Sequence, residues 1–212
     1  MIETVTDDRD RMLLSRWSSL LPGHVSLGVD LVRRYADPGR RYHGLDHLAV
    51  VLDGVDLLSG EASQLPLVLL AAWFHDAVYD VRRDDNEERS AQLAEQELAA
   101  AGLGPADVAE VARLVRLTAS HDPAPGAANG AVLCDADLMV LASDEAGYAS
   151  YVSAVRAEYA HVSDEDFRRG RAAVLEQLLS LPALFHTSRG HARWEAAARR
   201  NLQGELAGLR DG

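Results

Sequence analysis

Residues 69–80, LLAAWFHDAVYD, end an otherwise apolar run with a histidine and two carboxylates, His75, Asp76 and Asp80. An ionised carboxylate in such a setting requires a charge partner, hydrogen-bond donors or a metal ion. The same demand arises twice more. His47 falls on an apolar stripe with Val51, Val55 and Leu58, with His43 one helical turn earlier, and Asp137 shares a stripe with Leu133, Val140 and Leu141. Two imidazoles (His47, His75) and two carboxylates (Asp76, Asp137) on three inward faces make a nitrogen and oxygen donor set for a divalent metal ion. Such a set suits Mn²⁺, Fe²⁺, Co²⁺, Ni²⁺ or Zn²⁺, and Mg²⁺ less readily. Four protein ligands on an octahedral ion would leave two positions for water and substrate, the open arrangement that metal catalysis needs.

The elements that must bring these residues together read as helices nearly throughout, with no alternating strand pattern. Helices are predicted over 7–21 and 26–36, around a break at Pro22-Gly23, then through the His47 stripe. The next runs over 64–80, with Pro66 in its first turn, where a missing N–H costs little. Asp84, Asp85 and Asn86 are N-cap types ahead of a helix that ends at Gly102. Gly104-Pro105 opens another, whose inward face is Val108, Val111, Ala112, Val115 and Ala119. Further helices are expected over 131–142, 144–160, 163–181 and 191–209. Ser163 and Asp166 form a capping-box pattern, and Tyr148, Tyr151, Val152, Val155 and Tyr159 read as a buried stripe. SHDPAPGAANG (120–130) is the one clear loop. The expectation is a single all-α domain over 1–212 of roughly eight to ten helices.

Composition narrows the function classes. The formal net charge of the 212 residues is −12, and all 21 basic residues are arginine. That balance argues against a nucleic-acid polymer as partner, although a local arginine cluster would suffice for a small phosphorylated ligand. The single Cys134 allows no internal disulfide and fits a reducing compartment. No secretory signal pattern is present, and the apolar run over 65–74 stops short of the ~20 residues of a spanning helix. A cytoplasmic protein without a membrane partner is expected; its helical surface would allow a homodimer.

The order His47, His75-Asp76, Asp137 resembles that of the HD-domain metal-dependent phosphohydrolases. The carriers are YHGLDHLAVV, WFHDAVYD and DADL. The likeness extends to a bacterial subgroup of predicted HD hydrolases with YHxxxH, WFHDxVYD, NEExSA and GRxxxL segments, here Tyr42-His43…His47, 73–80, 86–91 and Gly170-Arg171…Leu175. It covers about residues 40–182 and implies an HD-type helical fold. It also favours His47 over His43, and Asp137 over Asp135, as ligands. His43 would then orient substrate or a supporting carboxylate, and Asp135 would fix the tautomer of a ligating histidine.

The activity this resemblance implies is hydrolysis of a phosphate ester of a small metabolite, a nucleotide for preference, by metal-activated water. Asp80, four residues after Asp76 and one turn along the same helix face, and Glu87 are the candidate acid–base groups beside Asp76. His121 is a further candidate for substrate or a second metal, Arg41 and Arg116 are candidate phosphate clamps, and the 120–130 loop is a candidate lid. Arg156, Glu158 and Tyr159 read as a structural patch, and His24, His161, His186 and His191 as surface or capping residues. Two other readings share the scaffold: a non-catalytic metal- or nucleotide-binding sensor, and a di-iron oxygenase drawing extra ligands from His43, His121 and Asp135.

Overall fold

The structure, a computed structural model, describes residues 8–211, so the extra residue at the expected helix start, residue 7, and both ends of the expected 1–212 domain lie outside it. Among the described residues there are ten α-helices and no strand: α1 (Asp8–Leu20), α2 (Val25–Tyr35), α3 (Leu45–Leu57), α4 (Leu65–Phe74), α5 (Asn86–Ala100), α6 (Pro105–Leu117), α7 (Ala128–Leu138), α8 (Glu145–Glu158), α9 (Asp164–Ser180) and α10 (Ser188–Asp211). Short 3₁₀ turns follow α3 and α7 at Ser59–Glu61 and Met139–Ala142. No helix among the described residues is long and apolar enough to cross a membrane.

α4, LPLVLLAAWF, has no polar face, and a helix apolar all round must be enclosed. It packs against α1, α3, α5, α6 and α7 and forms the axis of the domain. The edge of the Trp17 indole from α1 meets Trp73 at a centroid distance of 5.2 Å, and Trp17 also lies against Phe74. Its Nε1–H donates to the His24 carbonyl, which closes the α1–α2 turn. Gly28 on α2 lies directly over this indole.

Several predicted boundaries move; α7 begins at Ala128, inside the expected 120–130 loop, and ends at Leu138 instead of 142. The helix expected over 64–80 stops at Phe74, although WFHDAVYD contains neither proline nor glycine. Its terminal carbonyls are met by one tertiary and one local group: Tyr35 Oη donates to Trp73 O, and Nδ1 of the cap residue His75 lies 2.8 Å from Ala72 O. The guanidinium of Arg40 donates to the carbonyls of Asp76 and Ala77 just beyond, placing a cation where the helix dipole favours one. The next segment is pinned from α5. Asn86 exchanges two hydrogen bonds with the backbone of Asp80, and Ser90 Oγ bonds both backbone groups of Val78. The asparagine and serine of NEERSA are therefore tethers, and Asp85, at the N-cap, turns its carboxylate to Arg83 instead of capping. His43, expected on the α3 stripe, lies in the turn before that helix. Ala119, expected on the inward face of α6, is exposed beyond its end.

Other expectations hold. Ser163 Oγ accepts from the Asp166 N–H, as a capping box requires, and His47, Val51, Val55 and Leu58 are all buried. The N-terminal end of α10 is held by two carboxylates from other elements. Glu61 accepts the N–H groups of Ser188 and Arg189, and Asp135 those of His186 and Thr187. A methyl group at position 28 would run into the Trp17 indole. Gly28→Ala should therefore lower stability by about 1–3 kcal/mol, read as a shifted midpoint in chemical denaturation.

Candidate metal centre

His47 comes from the first turn of α3, His75 from the C-terminal cap of α4 and Asp137 from the last turn of α7. One donor atom from each lies within 4.8 Å of the other two, a group that could hold a metal ion. His47 Nε2 is 3.1 Å from His75 Nε2 and 3.2 Å from Asp137 Oδ1, and His75 Nε2 is 3.7 Å from Asp137 Oδ1. Asp76 Oδ2 sits beside them, 3.2 Å from His75 Nε2 and 3.5 Å from His47 Nε2. Ligands 2.0–2.2 Å from one ion stand ~3.0 Å apart at right angles and ~3.4 Å apart at tetrahedral angles, so the spacings of 3.1, 3.2 and 3.5 Å are ones that a shared cation would allow, and the 3.7 Å pair is slightly wider.

Protonation chemistry leads to the same conclusion. The Nδ1 of His75 faces a carbonyl, Ala72 O, so Nδ1 carries the hydrogen and a neutral His75 turns its Nε2 lone pair toward the cluster. Several acceptors then converge in a buried space, an arrangement that positive charge stabilises. Burial pushes the imidazoles toward neutrality, but the Asp137 and Asp76 carboxylates outweigh it, raising His47 to about 9 and raising His75 as well. Burial likewise pushes both acids up, and the imidazoles overcome it, so Asp76 and Asp137 are held below the usual carboxylate range. A divalent cation would supply the charge that the protons supply in its absence.

His121 belongs to this centre. Its Nε2 is 2.8 Å from Asp137 Oδ2, the oxygen turned away from the two histidines, so it orients that carboxylate. His121 is the only non-glycine residue at positive φ (51°) among the described residues. This left-handed conformation costs roughly 1–2 kcal/mol. It is held by the bond of its N–H to Leu117 O and by the imidazole of His186, 3.2 Å from its carbonyl.

Glu158, at the end of α8, supports the other side. It was expected to be part of a structural patch, and that description fits Arg156, which pairs with Asp164. Glu158 instead reaches back to the turn before α3. Its Oε2 accepts the successive N–H groups of Arg41, Tyr42 and His43, and its Oε1 takes His43 Nδ1 at 2.5 Å and the Tyr79 hydroxyl at 2.7 Å. His43, stacked on Tyr79, is thereby fixed beside the cluster and not in it. Arg40, which braces the backbone of residues 76–77 and lies over the rings of Tyr35 and Tyr79, was not singled out from sequence. An arginine two residues before a tyrosine–histidine pair carries no signal of its own.

A cavity of about 580 Å³ opens on the cluster, lined there by Tyr42, His43, Glu87, His121 and Asp137. Glu87, on the first turn of α5, has no hydrogen-bond partner for its carboxylate among the described residues, and the candidate acid–base role remains open to it. Three expected site residues lie elsewhere. Asp80 is exposed in the turn after the cluster, and its carboxylate accepts the Arg82 N–H. Its placement on a common helix face with Asp76 fails because α4 has already ended. Arg41 is exposed and borders a different depression, and Arg116 is engaged by Glu88 and Glu95. Asp135 points away from the histidines. Its role is to anchor α10 through Thr187 Oγ1 and two backbone N–H groups, which corrects the expectation that it fixes a ligand tautomer.

Replacing Asp137 by Ala should abolish stoichiometric binding of Mn²⁺ or Co²⁺ in calorimetric titration, because it removes a donor and releases His121 together. Glu158 generates a pH prediction. Burial pushes its carboxyl up, but His43, Tyr79 and the backbone N–H groups prevail and hold it at about 2, below its ordinary 4.5. A depressed carboxyl contributes stability that is complete above 4.5 and lost as pH falls through 2. That difference amounts to roughly 3 kcal/mol, so wild type should lose stability across this window. Glu158→Gln should be less stable at neutral pH and flatter between pH 4.5 and 2 in denaturation midpoints.

No protein-family model, curated protein or solved structure matches the chain. Any reading of function therefore rests on the geometry above and on the motif resemblance.

Proposed function

We propose that the chain is a metal-dependent phosphohydrolase acting on a phosphate ester of a small metabolite. The observation that carries this reading is the convergence of His47, His75 and Asp137, with Asp76 alongside, behind a cavity that Asp137 lines and that is large enough for such a molecule. The motif resemblance to HD-domain phosphohydrolases points the same way. His47, His75, Asp137 and Asp76 would hold the ion, which when bound supplies a Lewis acid and lowers the pKa of water. Nitrogen and oxygen donors fit Mn²⁺, Co²⁺, Ni²⁺, Fe²⁺ or Zn²⁺ better than Mg²⁺.

The remaining work falls to the chain's own side chains. Glu87 is the group in the cavity free to take a proton from attacking water or return one to the leaving oxygen. His43, held through Nδ1 by Glu158, keeps Nε2 for hydrogen bonding to a ligand. His121 holds Asp137 and so fixes the charge distribution on which substrate docks. Arg41 and Arg116 take no part.

The test is phosphate release by the purified protein, reconstituted with each of these metals and offered a range of phosphate esters. Turnover that requires metal supports the proposal, whereas stoichiometric metal with no turnover indicates a sensor, and two irons with oxygen uptake an oxygenase. Glu87→Gln should lower kcat by about 10²–10³-fold with metal stoichiometry unchanged, as measured by initial rates and elemental analysis.

A further inference from the structure

The cavity extends well beyond the cluster, and its distal half has a different chemistry. Part of its lining is Tyr151 and Val155 of α8 with Tyr159 at the C-terminal cap, and part is Phe167, Val174 and Leu178 of α9. The spacings, four on α8 and seven and four on α9, place each helical set on one face. α8 and α9, consecutive in the chain, touch where the Tyr159 and Phe167 rings lie 6.1 Å apart and where Arg171 lies over the Tyr151 ring; between these contacts their side chains line the cavity. Tyr151 and Tyr159, expected to be buried, are only half-buried, and Val174 is 47% exposed. The unsealed apolar surface is continuous with the metal cluster, since one cavity is lined by both Asp137 and Val174.

The charges in this cavity favour one kind of anion. Its only arginine, Arg171, is buried and already held by Glu205 through two bonds of 2.7 and 3.0 Å. Three carboxylates, Glu87, Asp137 and Asp166, also line it. A single phosphoryl group could be met by a cation in the cluster together with His43 and His121. A di- or triphosphate tail would bring further negative charge against carboxylates with no unpaired guanidinium to receive it. A polyhydroxylated body would lose hydration against valine, leucine and phenylalanine without regaining hydrogen bonds.

We infer that the ligand is a phosphate monoester with one phosphoryl group and an uncharged apolar or aromatic body, the phosphoryl end at the His/Asp cluster and the body between α8 and α9. This rests on the proposed function and narrows its substrate class, setting it against nucleoside triphosphates and sugar phosphates.

Binding and turnover are to be measured separately on the full-length, Mn²⁺-loaded protein. Calorimetry would compare a naphthylmethylphosphonate, a dihydroxybutylphosphonate and a non-hydrolysable nucleoside triphosphate analogue, and phosphate release would follow the matching esters. The naphthyl ligand should bind at least about tenfold more tightly than the other two. Val174→Glu, a change on an exposed helix surface, should erase most of that preference while metal stoichiometry and the thermal transition stay as in wild type. Equal affinities, or preference for the hydroxylated or triphosphate ligand, would overturn the inference, even if all the esters are hydrolysed. Preferential binding of the naphthyl phosphonate without hydrolysis of any ester would uphold the ligand class and overturn the phosphohydrolase reading. If Val174→Glu leaves the preference intact, the body does not lie between α8 and α9, and the inference fails.

Discussion

The close packing of two imidazoles against two buried carboxylates is the interaction on which the rest of the structure depends. Two imidazole nitrogens 3.1 Å apart face the carboxylates of Asp76 and Asp137 in a space that water barely reaches. In such surroundings an uncompensated carboxylate costs several kcal/mol, so the arrangement survives only with protons or a cation at its centre. Three helices are positioned by this need. α4 delivers its histidine at its cap, α3 offers one from its first turn, and α7 presents its acid from its last. Each donor therefore sits at or beside a helix end, where backbone geometry is held by specific partners and not by the regular ladder.

Those partners form a supporting layer with a clear division of labour. Tyr35 and Arg40 hold the backbone on either side of Asp76, Asn86 and Ser90 fix the segment that leaves it, and His121 holds the outer oxygen of Asp137. Glu158 fixes the turn that precedes α3 by gathering three successive N–H groups on one oxygen. Such a nest of amides favours an anion, and the His43 imidazole and Tyr79 hydroxyl hold its other oxygen. The cluster thus owes much of its rigidity to groups that stand outside it, the arrangement that supports ligating residues in metal sites generally.

Much of this was legible in the residues. Helical periodicity gave the all-α class, and polar residues on apolar stripes singled out His47, His75, Asp76 and Asp137, because a buried charge has to be explained wherever it occurs. What could not be read were features decided by distant partners. Nothing local in WFHDAVYD stops a helix; the termination comes from Tyr35 and Arg40, so Asp80 was carried onto a helix that does not exist. Asp135 and Asp137 are both apolar-face acids on α7, and only the start of α10, far along the chain, decides that the first turns away from the histidines. Glu158 looks like an ordinary helix-terminal acid until the turn at 41–43 is placed against it. The aromatic stripe of α8 has the spacing of a core face, and periodicity does not distinguish a face that meets its neighbour from one that stops short.

The alternating acids of α7 have a consequence for how the molecule can be shortened or rearranged. Asp135 is wholly buried and spends both its oxygens on the strap at His186–Thr187 that leads into α10, while two residues later Asp137 serves the centre. His186 also touches the carbonyl of the strained His121. Cutting the chain ahead of this strap would strand a desolvated anion within one turn of the centre and free the residue that aims Asp137. The tail that looks like a detachable appendage in the primary structure is thus mechanically part of the mounting of the His/Asp cluster, and circular permutation or fusion would have to spare it.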